Sequence, residues 1–270
     1  MARYGAIRTV AGLVALAASA AAWPSAGGEG LAGSAHDFTA SSAASGGSAL
    51  ADGAHGGSLC TYCHTPQAGS GARLLWNHRL SKNEFRWDAS STSAGTPLPG
   101  FSGTTYKGAS AKCLSCHDGS VAVGDIGPDS VGPAGAAPVA AGPITNANSV
   151  IGAAGNLSGN HPIAVPYPMG RLPNTYNGVT NGGGRMLFAA NEWQSNPLES
   201  AAAHVRLYRD DGAGNIDTLP AGALTTNAGI ECSSCHDPHN RAAVDVMFLR
   251  GKRAGRSQAD GYLCLQCHNL

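Results

Sequence analysis

The sequence predicts a mostly coil chain with short α-helices at four repeated motifs, one small β-hairpin, and an interior filled by something other than side chains. Three observations lead there. All eight cysteines of the 270 residues fall in four copies of CxxCH: Cys60/Cys63/His64, Cys113/Cys116/His117, Cys232/Cys235/His236 and Cys264/Cys267/His268. Thirty-eight glycines and fifteen prolines make the chain rich in loops, though short of the level that marks a disordered one. Long stretches show neither the 3.6-residue nor the 2-residue apolar period by which helices and strands build a core.

The motifs come first. In a helical turn residues i, i+3 and i+4 share one face, so two thiols and an imidazole converge on a single object. Thiols placed this way form thioethers with haem vinyl groups, and the histidine ligates the iron from the proximal side. CxxC alone also serves redox dithiols and zinc sites. A histidine directly after each of four pairs, with no cysteine left over, favours haem, with disulfides the alternative for an exported chain. Four covalently attached c-type haems are therefore expected, with His64, His117, His236 and His268 as proximal iron ligands. Four large apolar porphyrins are expected to supply the core, and the apo chain to fold poorly.

Around the motifs, residues 1–22 read as a signal peptide: Arg3 and Arg8 precede an Ala-rich run from Val10 to Ala22, with small-residue cleavage sites after Ala20, Ala22 or Ala26. The run falls below the roughly 20 residues that cross a bilayer. No later segment spans, so the mature chain is expected in the periplasm or outside the cell. First cysteines lie 53 residues apart in the first pair of motifs, 32 in the second, and 119 across the gap. This divides the chain into a two-haem region at 23–120, a Gly/Pro-rich connecting region at 121–229 carrying a distal-ligand loop and the hairpin, and a second two-haem region at 230–270. Residues 121–160 read as extended loop or as a spacer. Val205–Tyr208 and Asn215–Leu219 flank an Asp-Asp-Gly-Ala-Gly turn and form the hairpin; the turn misses EF-hand spacing and reads as a plain turn rather than a calcium site. A further helix is expected over 191–208. With 17 basic and 17 acidic residues, no basic field for nucleic acid or anionic membrane is visible, and partners must be recognised by shape.

Ten histidines leave six after the proximal four. His239 cannot cap the haem of its own motif: trans ligands need Cα atoms about 12–13 Å apart, and three residues reach at most about 10–11 Å. It is expected to reach a neighbouring haem. His161, held extended by Pro162, His78 behind Leu74-Leu-Trp-Asn, and His36 in the N-terminal segment are the other expected distal ligands. His55 and His204 read as surface or packing residues with a ligand role left open. Met169, Met186 and Met247 are alternatives that would raise a haem's potential.

Leu59-Cys-Thr-Tyr-Cys-His-Thr-Pro66, Leu75-Trp-Asn-His78, Cys113-Leu-Ser-Cys-His-Asp-Gly119, His161-Pro162 and Cys232-Ser-Ser-Cys-His-Asp-Pro-His239 together resemble exported cytochromes of the doubled-CxxCH family. More loosely, the chain is similar to OmcE-like tetrahaem cytochromes that polymerise into extracellular conducting filaments. The resemblance implies that His36, His78, His161 and His239 are the distal ligands. One departure is Gln67, where family members often carry histidine. The expected role is electron transfer through closely spaced bis-histidine haems, without enzyme activity, toward other redox proteins or an extracellular electron acceptor. Only Asn269 and Leu270 follow the fourth motif, so its haem edge is expected near the surface. A homo-polymer joined by a histidine donated from a neighbour, with His36 as the donor, is one form of this reading, and a monomeric periplasmic shuttle the other. A multihaem reductase, which needs an iron with an open position, is the rival from another class.

Overall fold

The computed structural model describes residues 30–38, 59–64, 76–88, 92–93, 96–125, 142–181, 190–198, 205–213, 215–220, 222–223, 225–245 and 247–269. The leader, His55, His204, Met186 and residues 126–141 lie outside them. Four short helical elements carry the CxxCH motifs: a 3-10 turn at Leu59–Tyr62, α1 at Ala109–His117, α2 at Cys232–Cys235 and α3 at Leu263–Cys267. Helix α1 runs out at Asp118 into Gly119, whose φ of 73° only glycine adopts without strain. Helix α2 stops because His236 is already extended and Pro238 follows.

Ten strands of two or three residues connect these elements. β1 (Glu84–Phe85) pairs with β4 (Phe101–Ser102), β2 (Thr92–Ser93) with β3 (Thr96–Pro97), and β6 (Asn174–Tyr176) with β7 (Val179–Asn181), all antiparallel. The remaining four, β5 (Val165–Pro166), β8 (Tyr208–Asp210), β9 (Ile216–Thr218) and β10 (Ala228–Ile230), form one antiparallel sheet in the order β5-β10-β8-β9. The expected hairpin is its β8–β9 edge, with Tyr208 opposite Thr218. In the turn, Asp210 Oδ1 accepts from Gly212 N at 2.8 Å, and Asp211 Oδ1 from Ala213 N at 2.8 Å and Asn215 N at 3.0 Å. Their second oxygens accept from Asn177 N at 2.8 Å and Asn215 Nδ2 at 2.7 Å, so both carboxylates are engaged within the fold. The helix expected over 191–208 is not formed where it is described: Ala190–Glu192 is a 3-10 turn and Tyr208 opens β8.

The described residues also hold side-chain clusters of their own, of which two are large. One gathers Val165, Tyr167, Met169, Trp193, Leu207 and Ile230; the other gathers Phe85, Phe101, Tyr106, Leu114, Tyr176 and Tyr208. Leu207 and Tyr208 are adjacent yet fall in different clusters, as do Ala164 and Val165, which is how alternate strand residues serve opposite faces of a sheet. Central strand β10 is buried throughout and delivers the chain directly into α2. Helices α1 and α2 touch, so the second and third motifs meet across the long gap between the two motif groups. Among the described residues no helix is long and apolar enough to cross a membrane.

Candidate functional site

The first, third and fourth motifs are held by the same device. The helical turn closes when the histidine N–H donates to the carbonyl of the first cysteine, at 2.9 Å for His64, 3.0 Å for His236 and 2.9 Å for His268. The later carbonyls of so short a turn have no partner within it. A second segment supplies one: His64, His236 and His268 form antiparallel bridges to Trp76, Leu249 and Trp193. The next residue along then donates to the second cysteine's carbonyl: Asn77 N to Cys63 O at 3.0 Å, Arg250 N to Cys235 O at 2.8 Å, and Gln194 N to Cys267 O at 2.8 Å. At the second motif Ile151 N donates to His117 O at 2.7 Å.

Three proximal histidines face a loop histidine. Ring centroids lie 6.1 Å apart for His36 and His117, 6.3 Å for His64 and His239, and 6.2 Å for His161 and His268. A metal–imidazole bond of roughly 2.0–2.1 Å, with about 1.1 Å more from nitrogen to ring centre on each side, places trans imidazoles about 6.2–6.4 Å apart. The residues therefore fit an iron between the rings. The ring nitrogens agree. Nδ1 of His117 donates to Ser149 O at 2.7 Å, Nδ1 of His236 to Met247 O at 2.8 Å, Nδ1 of His36 to Pro238 O at 3.2 Å and Nδ1 of His161 to Pro162 O at 2.9 Å. A proton fixed on Nδ1 leaves the Nε2 lone pair for a metal. Burial pushes His36 down to about 4 and lowers His236 and His268, which keeps these rings in the neutral, ligating form.

His78 is placed differently. Its Nε2 lies 2.6 Å from Tyr62 O, inside the first motif, and its ring is 5.5 Å from Trp76. Among the described residues no ring contact joins it to a proximal histidine, and none joins a second histidine to His236. Met169 is buried in the sheet cluster, and Met247 is exposed, contributing its carbonyl rather than its sulfur to His236.

Four consecutive residues tie three motifs together. His236 is the third proximal histidine, Pro238 O holds His36 against His117, and His239 faces His64. Asp237, between them, fixes the turn: its Oδ2 accepts from Arg241 N at 2.8 Å and Ala242 N at 2.6 Å, and its Oδ1 pairs with Arg250 at 3.3 Å. Arg250 is 1% exposed and also donates to Ser233 O at 3.1 Å. Phe248 stacks on His36 at 4.6 Å and Trp193 lies 4.7 Å from His268, so apolar rings cover two of these histidines. Composition gave no sign of these partners, although Cys-His-Asp at the second and third motifs is a signal that a carboxylate shapes the turn.

Burial pushes Cys63 up to about 12 and Cys116 and Cys235 up to about 11. Thiols so held stay protonated at neutral pH, which suits a thioether anchor better than a reactive dithiol. The pairs also follow one another in space. Cys116 lies near enough to Cys63 to raise its pKa, Cys113 neighbours Cys232, and Cys235 likewise raises Cys267. The four attachment sites thus form a succession in sequence order.

Residues 226–269, which hold the third and fourth motifs, match a family model described as Doubled CXXCH motif. Over this stretch the chain is similar to the doubled-CxxCH family. The match supports covalent c-type haem binding and an electron-carrier role. No curated protein and no solved structure matches the chain.

Proposed function

We propose that the protein is a tetrahaem c-type cytochrome that passes electrons along haems held between histidine pairs. The observation that carries this reading is the set of three proximal–loop histidine pairs at 6.1, 6.3 and 6.2 Å. When bound, haem supplies one-electron exchange between ferric and ferrous iron. The chain does the rest. Cys60, Cys63, Cys113, Cys116, Cys232, Cys235, Cys264 and Cys267 anchor the porphyrins. His36, His239 and His161 close the sixth positions opposite His117, His64 and His268. Carbonyls on Nδ1 orient the rings and make them stronger donors, favouring the ferric state. The succession of cysteine pairs supports a relay in sequence order.

The leader and the resemblance to exported cytochromes support a mature chain outside the cytoplasm, exchanging electrons with other redox proteins or an extracellular acceptor. In the polymeric form of this reading, the 6.1 Å pairing of His36 with His117 in one chain favours a donor other than His36. The second ligand at His236 then comes from His55 or His204, or from a second copy. Mass photometry with electron microscopy of the holo protein separates these: a filament with a shared histidine supports the polymer, and monomers with every haem six-coordinate support the shuttle. The core reading is tested by mass spectrometry of the secreted protein, expected to show four haem additions and a leader removed between Ala20 and Ala26, with low-spin spectra. A secreted chain without porphyrin mass overturns it.

A further inference from the structure

The second and third motifs are separated by 119 residues, yet α1 and α2 touch, and the contact is made by a carboxylate. Glu231 ends the central strand and immediately precedes Cys232; it is 1% exposed. Its Oε2 accepts from Ser110 N at 2.8 Å and Ser110 Oγ at 2.5 Å, and its Oε1 accepts from the hydroxyls of Tyr106 and Tyr176. Cys232 N in turn donates to Ser110 Oγ at 3.0 Å. The first turn of α1 has no acidic residue of its own, so Glu231 supplies the negative charge that the helix N-terminus favours. Two glycines clear the space: a Cβ at Gly108 would collide with Glu231 Oε1 and Tyr106, and one at Gly229 with the Tyr176 ring.

Among the described residues, every hydrogen-bond donor to this carboxylate is a hydroxyl or an amide and none is a cation. An apolar side chain would fill a strand–helix corner without the penalty of burying a charge. Four donors offset that penalty only at one separation and orientation of the two helices, so the carboxylate acts as a gauge. The first cysteines of the two motifs, Cys113 and Cys232, are neighbours beside it. We propose that Glu231 is a positioning residue that docks the third motif on the second, fixing the gap between the two halves of the relay and holding an anion beside both attachment sites. This deepens the four-haem reading and rests on it.

An anion favours the more positively charged ferric state. A unit charge at roughly 10 Å in an effective dielectric of 20 shifts a reduction equilibrium on the order of tenfold, which for one electron is about 59 mV. Glu231→Gln keeps the shape and removes the charge. The holo variant should carry the wild-type number of haems with an unchanged low-spin spectrum, while two of its potentials rise by that amount. Ser110→Ala removes the hydroxyl shared by Glu231 and Cys232. It should leave ligation intact and slow electron equilibration between the halves several-fold, read by pulse radiolysis. Haem-loaded variants with wild-type potentials and rates overturn the proposal, as does arrest of both variants before haem attachment, which would mark a purely structural role. A wild-type protein without haem by mass spectrometry would instead sink the reading on which the proposal rests.

Discussion

Replacing His239 with alanine separates ligation from folding. The His239 ring stands 6.3 Å from that of His64 with an interplanar angle of 26°, and in the polypeptide the side chain is exposed. Its removal therefore sacrifices little packing, within about 0.5 kcal/mol for a surface position. On the proposed reading it removes the residue that would hold one haem iron from the side opposite His64. An alanine side chain stops at Cβ and cannot span that gap, so water is left to fill the position. One haem in four should turn high-spin, with the loss of about a quarter of the low-spin intensity in electron paramagnetic resonance. Added imidazole should restore it. The neighbouring residue makes the prediction sharper. His36 is held by the carbonyl of Pro238, a backbone group that the substitution leaves in place, so the pair at His117 should survive. Full low-spin intensity in His239→Ala, or the loss of two haems' worth, would refute the reasoning.

Other substitutions probe the surroundings. His78→Ala should leave every haem low-spin, because its Nε2 is engaged by Tyr62 O, and the change should be seen in a lower unfolding midpoint. Arg250→Met strands the buried Asp237 carboxylate and should destabilise the holo protein by about 3–5 kcal/mol in denaturant unfolding. Gly229→Ala drives a methyl group into the Tyr176 ring, an overpacking that costs about 1–3 kcal/mol by the same measurement. Burial raises the Glu231 carboxyl above its ordinary range even though its donors pull it down. The folded chain thus holds that proton more tightly than the unfolded one. The resulting stability is present below the unfolded value of about 4.3 and is lost as pH rises through the folded value. Unfolding midpoints measured across the acid range should show this loss in the wild type and not in Glu231→Gln.

The motif elements were legible because CxxCH imposes a helical turn wherever it occurs, and the β8–β9 hairpin because its strands flank an Asp/Gly-rich turn. The reach argument for His239 needed only the length of the chain between two numbers. The rest of the sheet was not legible. Strands such as Val165–Pro166 and Ala228–Ile230 are too short for a two-residue period to register, and their partners lie dozens of residues away. The expected helix over 191–208 misread residues that instead clip the fourth motif through Trp193 and Gln194. Carbonyl anchors are invisible for a plainer reason: Ser149, Met247 and Pro238 act through backbone atoms that every residue possesses. Glu231 left a trace, an acid set between Ile230 and a cysteine in a chain with only 13% charged residues.

The run from His236 to His239 also dictates the timing of biogenesis. Two of the groups that complete the first half of the molecule, the Pro238 carbonyl and the His239 imidazole, are translated more than 110 residues after the sites they serve. On the proposed four-haem reading, the first two motifs lack these partners until residue 239 has been made.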